Sequence, residues 1–155
     1  MEVKELGHVV LYVRDLAVSQ PFYRDVLGFI PLPISDAEGP SFQAAAFSTT
    51  SERTHHELLL IQVGPEAAPL PHGRRLGMYH FGLKVGDSDD ELREALQVVR
   101  ENGVRVLGMT DHHVTHSLYI ADPDGNEIEL YIDVPGVDWR NDPSLIGSPM
   151  KPLRL

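Results

Sequence analysis

The chain is predicted to be an α+β protein of two βαβββ modules, and three observations carry that reading. The order of elements in residues 5–63 returns in residues 78–133. Candidate strands alternate side chains with the period of two that places neighbours on opposite faces of a sheet. Each module also holds one stretch with apolar residues at helical spacing, closed by a glycine. A module of this size has one sheet face to bury, which two halves are expected to bury together.

Residues 6–13 read as the first strand, with His8, Val10 and Tyr12 alternating against Val9, Leu11 and Val13. Asp15 or Ser19 caps a helix whose stripe is Phe22, Tyr23, Val26 and Leu27, ended by Gly28. Residues 29–34 are a short strand, 36–40 a turn, 42–48 a strand, 49–54 a polar loop and 55–63 a buried strand. Residues 64–77, with prolines at 65, 69 and 71, form a linker. The second module opens with a strand at 78–85 carrying His80. Asp87 or Ser88 caps a helix with Asp89, Asp90 and Glu91 at its positive end, an apolar face of Leu92, Leu96 and Val99, and Gly103 at its close. Strands at 104–110, 115–121 and 126–133 follow. Between the last two, Asp122-Pro-Asp-Gly125 is a turn in which Gly125 accepts positive φ. Residues 134–155 form a tail, in which Trp139 and the run 143–155, with prolines at 143, 149 and 152, are expected to wrap another part of the protein or its subunit mate.

The 155 residues hold 13 Lys and Arg against 23 Asp and Glu, a net charge of -10 that argues against nucleic acid and anionic membranes as partners. With no cysteine, any metal must sit on His, carboxylate and water. The charged first residues do not read as a signal peptide and no apolar run nears 18 residues, so a soluble, cytoplasmic protein is expected.

Glu129 shares a strand face with Glu127, Tyr131 and Asp133, while Ile128, Leu130 and Ile132 take the other. His8 and His80 fall at matching places in the two modules, 72 residues apart, and Glu57 and Glu129 have the same spacing. His8, His80 and Glu129 therefore make a candidate two-His, one-carboxylate metal set. Three ligands on one face of an octahedral ion leave adjacent positions for substrate, dioxygen or water. A core histidine, or a carboxylate on the solvated side of an amphipathic strand, is the alternative at each position.

Several stretches resemble the vicinal oxygen chelate superfamily, which includes glyoxalase I, bleomycin- and fosfomycin-resistance proteins and type I extradiol dioxygenases. They are Gly7-His-Val-Val-Leu-Tyr-Val-Arg-Asp-Leu16, Phe22-Tyr23 with Val26-Leu-Gly-Phe29, Tyr79-His-Phe-Gly-Leu83 and Asp122-Pro-Asp-Gly-Asn-Glu-Ile-Glu-Leu-Tyr131. The resemblance implies paired βαβββ modules forming a curved, partly open mixed sheet around a metal. His55-His-Glu-Leu58, Asp111-His-His-Val-Thr115, Tyr119 and the segment Tyr131-Ile-Asp-Val-Pro-Gly-Val-Asp-Trp139 look most like dioxygenases of the catechol 2,3-dioxygenase type.

That resemblance implies Fe(II) on His8, His80 and Glu129, with Mn, Ni or Zn as other metals. It implies His56 as acid-base group, and His112 and Tyr119 as hydrogen-bonding partners of the diol and its oxygenated product. It also implies an aromatic diol and dioxygen as substrates, in aromatic catabolism, and a homodimer. His112 is chosen over His113 by the match alone, and His116 and His72 are read as surface residues. Many such enzymes duplicate the paired modules; one pair suffices to build a site.

Two rivals stay open. A glyoxalase I-like isomerase or lyase would use Glu57 as a fourth ligand, and alternation along a strand makes an inward Glu57 incompatible with an inward His56. A metal-free protein that sequesters a drug or aromatic ligand is the other, although it has no need of the His and Glu set.

Overall fold

A computed structural model describes residues 1–34, 43–71 and 73–155. The expected turn at 36–40, the start of the strand expected from 42 and the position of His72 lie outside them. The fold is α+β with two mixed, open sheets, and the chain divides into compact units at Met1–Pro69 and Leu70–Leu155. Among the described residues no helix is long and apolar enough to cross a membrane.

The first unit runs β1 (Val9–Val13), α1 (Leu16–Pro21), β2 (Ile30–Leu32), β3 (Ala44–Ser48) and β4 (Leu58–Gln62), with strand order β1-β4-β3-β2. Asp15 caps α1 by accepting the Ala17 N–H at 2.8 Å. Directly after Pro21, which has no N–H to donate, the helix widens into a π turn over Phe22–Val26. The rings of Tyr23, Phe29 and Phe47 meet edge-on or tilted at 6.1 to 6.4 Å. With Leu11, Val13, Leu58 and Leu60 they form this unit's buried core. Burial of each such side chain contributes about 1.5–3 kcal/mol.

The second unit runs β5 (His80–Gly86), α2 (Asp89–Glu101), β6 (Val106–Asp111), β7 (Thr115–Ala121), β8 (Glu127–Asp133) and β9 (Lys151–Pro152). Its strand order is β5-β8-β7-β6-β9, so the C-terminal segment returns to lie antiparallel on β6. Ser88 begins α2 in a capping box: its hydroxyl accepts from the Glu91 amide, while Glu91 Oε2 accepts from the Ser88 hydroxyl and the Asp87 amide, each at 2.8 Å. Leu92, Leu96 and Val99 are buried on α2, and Leu118, Ile120, Ile128, Leu130 and Ile132 are buried on the sheet. In the β7–β8 turn, Gly125 takes φ +92 and Asp122 accepts the amides of Asp124 and Asn126.

The first strand of each unit lies parallel to its partner, β1 to β4 and β5 to β8, and the registers can be compared directly. Val9 pairs with Leu58 in the first unit and Phe81 with Ile128 in the second. If His8 matches His80, then Glu57 matches Glu127 and Leu59 matches Glu129. The equal 72-residue spacing of Glu57 and Glu129 is thus a coincidence of loop lengths, because the second unit is two residues shorter between these strands.

Candidate active site

β8 divides its side chains as alternation requires. Ile128, Leu130 and Ile132 are buried, whereas Glu127, Glu129, Tyr131 and Asp133 take the opposite face. Antiparallel register sets Tyr119 directly across from Glu129, and parallel register sets Gly82 beside it. Space there is tight: a Cβ at Gly82 would stand 3.2 Å from Tyr131 Cε1 and 3.4 Å from Glu129 Oε2.

Two groups orient the Glu129 carboxylate. Ser117, fully buried, donates its hydroxyl to Oε1 at 2.6 Å, and Tyr119 donates to the same oxygen at 3.2 Å. The other oxygen, Oε2, lies 3.3 Å from His80 Nε2. On the far side of that ring, Nδ1 is buried without a hydrogen bond among the described residues, with Glu127 Oε1 3.5 Å away. A carboxylate beside Nδ1 is the arrangement that keeps a proton there and leaves Nε2 as a lone-pair donor.

The set continues to β6. Tyr119 Oη lies 2.7 Å from His112 Nε2, and the Tyr119 and His80 rings are 5.4 Å apart. Burial, then the nearby Glu129 charge, holds the Tyr119 phenol well above the ordinary tyrosine range, so it is a neutral donor at pH 7. Burial, followed by Asp133 and Glu129, also pushes Tyr131 up. For Tyr79 the charge of Glu127 is the first cause of a rise.

The residues 112 to 114 form the loop joining β6 to β7. His113 is exposed at φ +72, an uncommon state for a residue with a Cβ, and Asp111 Oδ1 accepts its amide at 2.7 Å. His112 therefore turns to Tyr119 while His113 does not. His116 is not a free surface residue as expected: its side chain is 18% exposed and Nδ1 lies 2.5 Å from Asp89 Oδ1 on α2.

In the first unit His8 precedes β1, and its ring centroid lies 4.5 Å from that of His56 and 5.7 Å from that of His55. His55 and His56 share an Nδ1 to Nδ1 contact of 2.6 Å, so one of the two carries the proton and the other accepts it. His56 Nε2 is buried with no hydrogen-bond partner among the described residues. Burial first, then charge on His55 and His8, lowers the His56 pKa, which favours the neutral imidazole.

Glu57 goes elsewhere. Its carboxylate accepts from Ser48 Oγ and the Thr49 amide, each at 3.0 Å, and from Ser51 Oγ at 3.2 Å. Burial would raise its pKa, but these hydrogen bonds outweigh it and the net shift is downward. The expected strand from residue 55 begins only at Leu58, so alternation does not make His56 and Glu57 exclusive.

For a metal, the donor set of imidazole and carboxylate fits a divalent ion of the iron, manganese or zinc type. His80 Nε2 and Glu129 Oε2 stand 3.3 Å apart. Among the described residues, no three His, Asp or Glu side chains are gathered closely enough to hold an ion. Ser117, Glu127 and Gly82 were not among the candidates read from sequence. The alternation of β7, which puts Ser117 on the face of Tyr119, and that of β8, which puts Glu127 on the face of Glu129, signal two of them.

The family model of the Glyoxalase/Bleomycin resistance protein/Dioxygenase superfamily matches residues 5–130. A "Catechol-2,3-dioxygenase" of Bacillus subtilis is 36% identical over 141 residues, covering 91% of this chain and 46% of the relative. A "Biphenyl-2,3-diol 1,2-dioxygenase 3" of Rhodococcus globerulus is 35% identical over 130 residues, covering 83% of this chain and 63% of the relative. The chain thus spans about half to two thirds of these relatives' length. Among solved structures, a glyoxalase/dioxygenase from Nostoc punctiforme superposes with a TM-score of 0.66 at 25% identity, covering 84% of this chain and 91% of that one. A domain from Frankia reaches 0.70 at 20% identity, covering 85% and 99%, which speaks to the fold alone.

Proposed function

Since the chain belongs to the Glyoxalase/Bleomycin resistance protein/Dioxygenase superfamily, we propose that it is a metal-dependent extradiol dioxygenase that opens the ring of a catechol-type diol with dioxygen. The observation that carries this reading is the linked set His80, Glu129, Tyr119 and His112 on one face of the second sheet. The names of the relatives in Bacillus and Rhodococcus support it. We assign His80 and Glu129 as ligands, and Fe(II) as the metal.

A redox-active ion supplies, when bound, the electron transfer between an electron-rich ring and dioxygen that no side chain provides. The chain's own residues supply position and protons. In the first unit, neutral His56 is suited to accept a proton. Tyr119, kept protonated, donates a hydrogen bond to a substrate oxygen without ionising. His112, 2.7 Å from the phenol, holds that hydroxyl in position. Ser117 holds Glu129 Oε1, so that Oε2 keeps its direction towards His80. Cleavage of the carbon bond beside the diol, with both oxygen atoms retained, gives a muconic semialdehyde-type product.

Glu57 is left out of the ligand set. A carboxylate already accepting from Ser48, Thr49 and Ser51 would have to abandon those donors to serve as a fourth ligand in an isomerase. The test of the whole reading is anaerobic loading with Fe(II), then addition of catechol and air. A yellow ring-opened product with matching oxygen uptake is expected. Bound metal with no oxygen uptake across a panel of catechols would refute it.

A further inference from the structure

We propose that Asp111 is a positioning residue for His112, acting through the backbone of the β6–β7 turn; its kinetic consequence rests on the dioxygenase reading, its structural consequence does not. The turn has only residues 112 to 115 between the paired positions Asp111 and His116. Within it His113 takes the left-handed region, at φ +72. A Cβ disfavours that state, which glycine would adopt freely. The Asp111 carboxylate opposes this by accepting the His113 amide at 2.7 Å.

The rest of the turn leaves His112 little choice. Its amide donates to the Thr115 carbonyl at 2.9 Å. Downstream, Val114 is buried and its carbonyl accepts from the Val134 amide at 3.0 Å. Upstream, Asp111 is paired with His116 on one side and Lys151 on the other. With both flanks fixed, any relaxation of His113 must be taken up by the backbone at His112. Its imidazole then swings away from Tyr119, now 2.7 Å distant. The other polar neighbour of Asp111 is His116, whose Nε2 stands 3.8 Å from Oδ1 while its Nδ1 faces Asp89.

The test compares D111A, H113G and the D111A/H113G double variant in the full chain. In D111A, kcat on catechol is expected to fall about 10-fold or more with KM within about twofold, as small misplacements of a reacting group do. H113G alone is expected to match the parent. In the double variant glycine takes the left-handed state unaided, so kcat is expected to return to within about threefold of the parent. Long-range ¹H–¹⁵N spectra of the metal-free chain read the His112 Nε2 contact with Tyr119 directly, with Y119F as reference. Its signal should be lost in D111A and restored in the double variant. An unchanged kcat and spectrum in D111A, or a double variant with neither restored, overturns the proposal. If D111A does not fold, the double variant decides alone by the same criteria. A parent chain with no turnover on catechols would refute the dioxygenase reading, while the spectra would still decide the role of Asp111.

Discussion

The two modules follow one path and one register, yet carry different chemistry on the same sheet face. Leu58 and Leu60 in the first match Ile128 and Leu130 in the second, all buried. Between them, Leu59 stands where the second module has Glu129. The face that packs is thus held to apolar residues by the need for burial, while the opposite face is free to diverge. Imidazoles gather in the first unit as His8, His55 and His56, and its one comparable acid, Glu57, serves the β3–β4 loop. The second unit gathers Glu127 and Glu129 with His80, His112 and Tyr119.

This contrast can be broken most severely at the position where the modules differ. Glu129→Ala is expected to abolish stoichiometric metal binding and turnover together, whereas Leu59→Gln should keep the metal, as measured by metal analysis of the desalted proteins. His80→Ala should behave as Glu129→Ala does; retained stoichiometric metal would refute its assignment as a ligand. Next in size, Tyr119→Phe should keep the metal and lower kcat by about 10²-fold, the span ascribed to a positioned proton donor.

Ser117→Ala removes a buried donor from Glu129 and is expected to cost about 1–3 kcal/mol in denaturant unfolding. The smallest effect should come from Glu57→Gln, which lies outside the proposed machinery. Because the folded pKa of Glu57 is depressed, its stabilisation is present above the ordinary carboxylate range and is lost as pH falls through the folded value. The substitution should therefore flatten the acid limb of the stability profile and cost under about 1 kcal/mol at pH 7, given solvent screening. Loss of metal in Glu57→Gln would instead favour a four-ligand isomerase.

Much of the architecture is legible in residue patterns. Alternation at 127–133 assigns Glu129 to the face opposite Ile128, and capping signals locate both helices. What depends on chain return is not legible. Equal spacing paired Glu57 with Glu129 because a sequence carries no register, and two residues' difference in connection length moves the match to Glu127. His112 and His113 are neighbours of one type, separated only by the backbone twist at φ +72. The contact of His116 with Asp89, 27 positions away, needs the helix packed on the sheet before it exists.

The parallel pairing of β5 with β8 has a consequence for the order in which the second unit is made. Helix α2 and the β6–β7–β8 meander close through neighbours in sequence, whereas β5 must wait for a strand that begins at Glu127. Loop closure favours the local pieces. His80 and Glu129 are therefore expected to meet only after the meander has formed, and a nascent chain cannot bring the two together until β8 has emerged. Pulse-labelled hydrogen exchange during refolding should protect the β7 amides before those of β5; the reverse order would contradict this sequence of events.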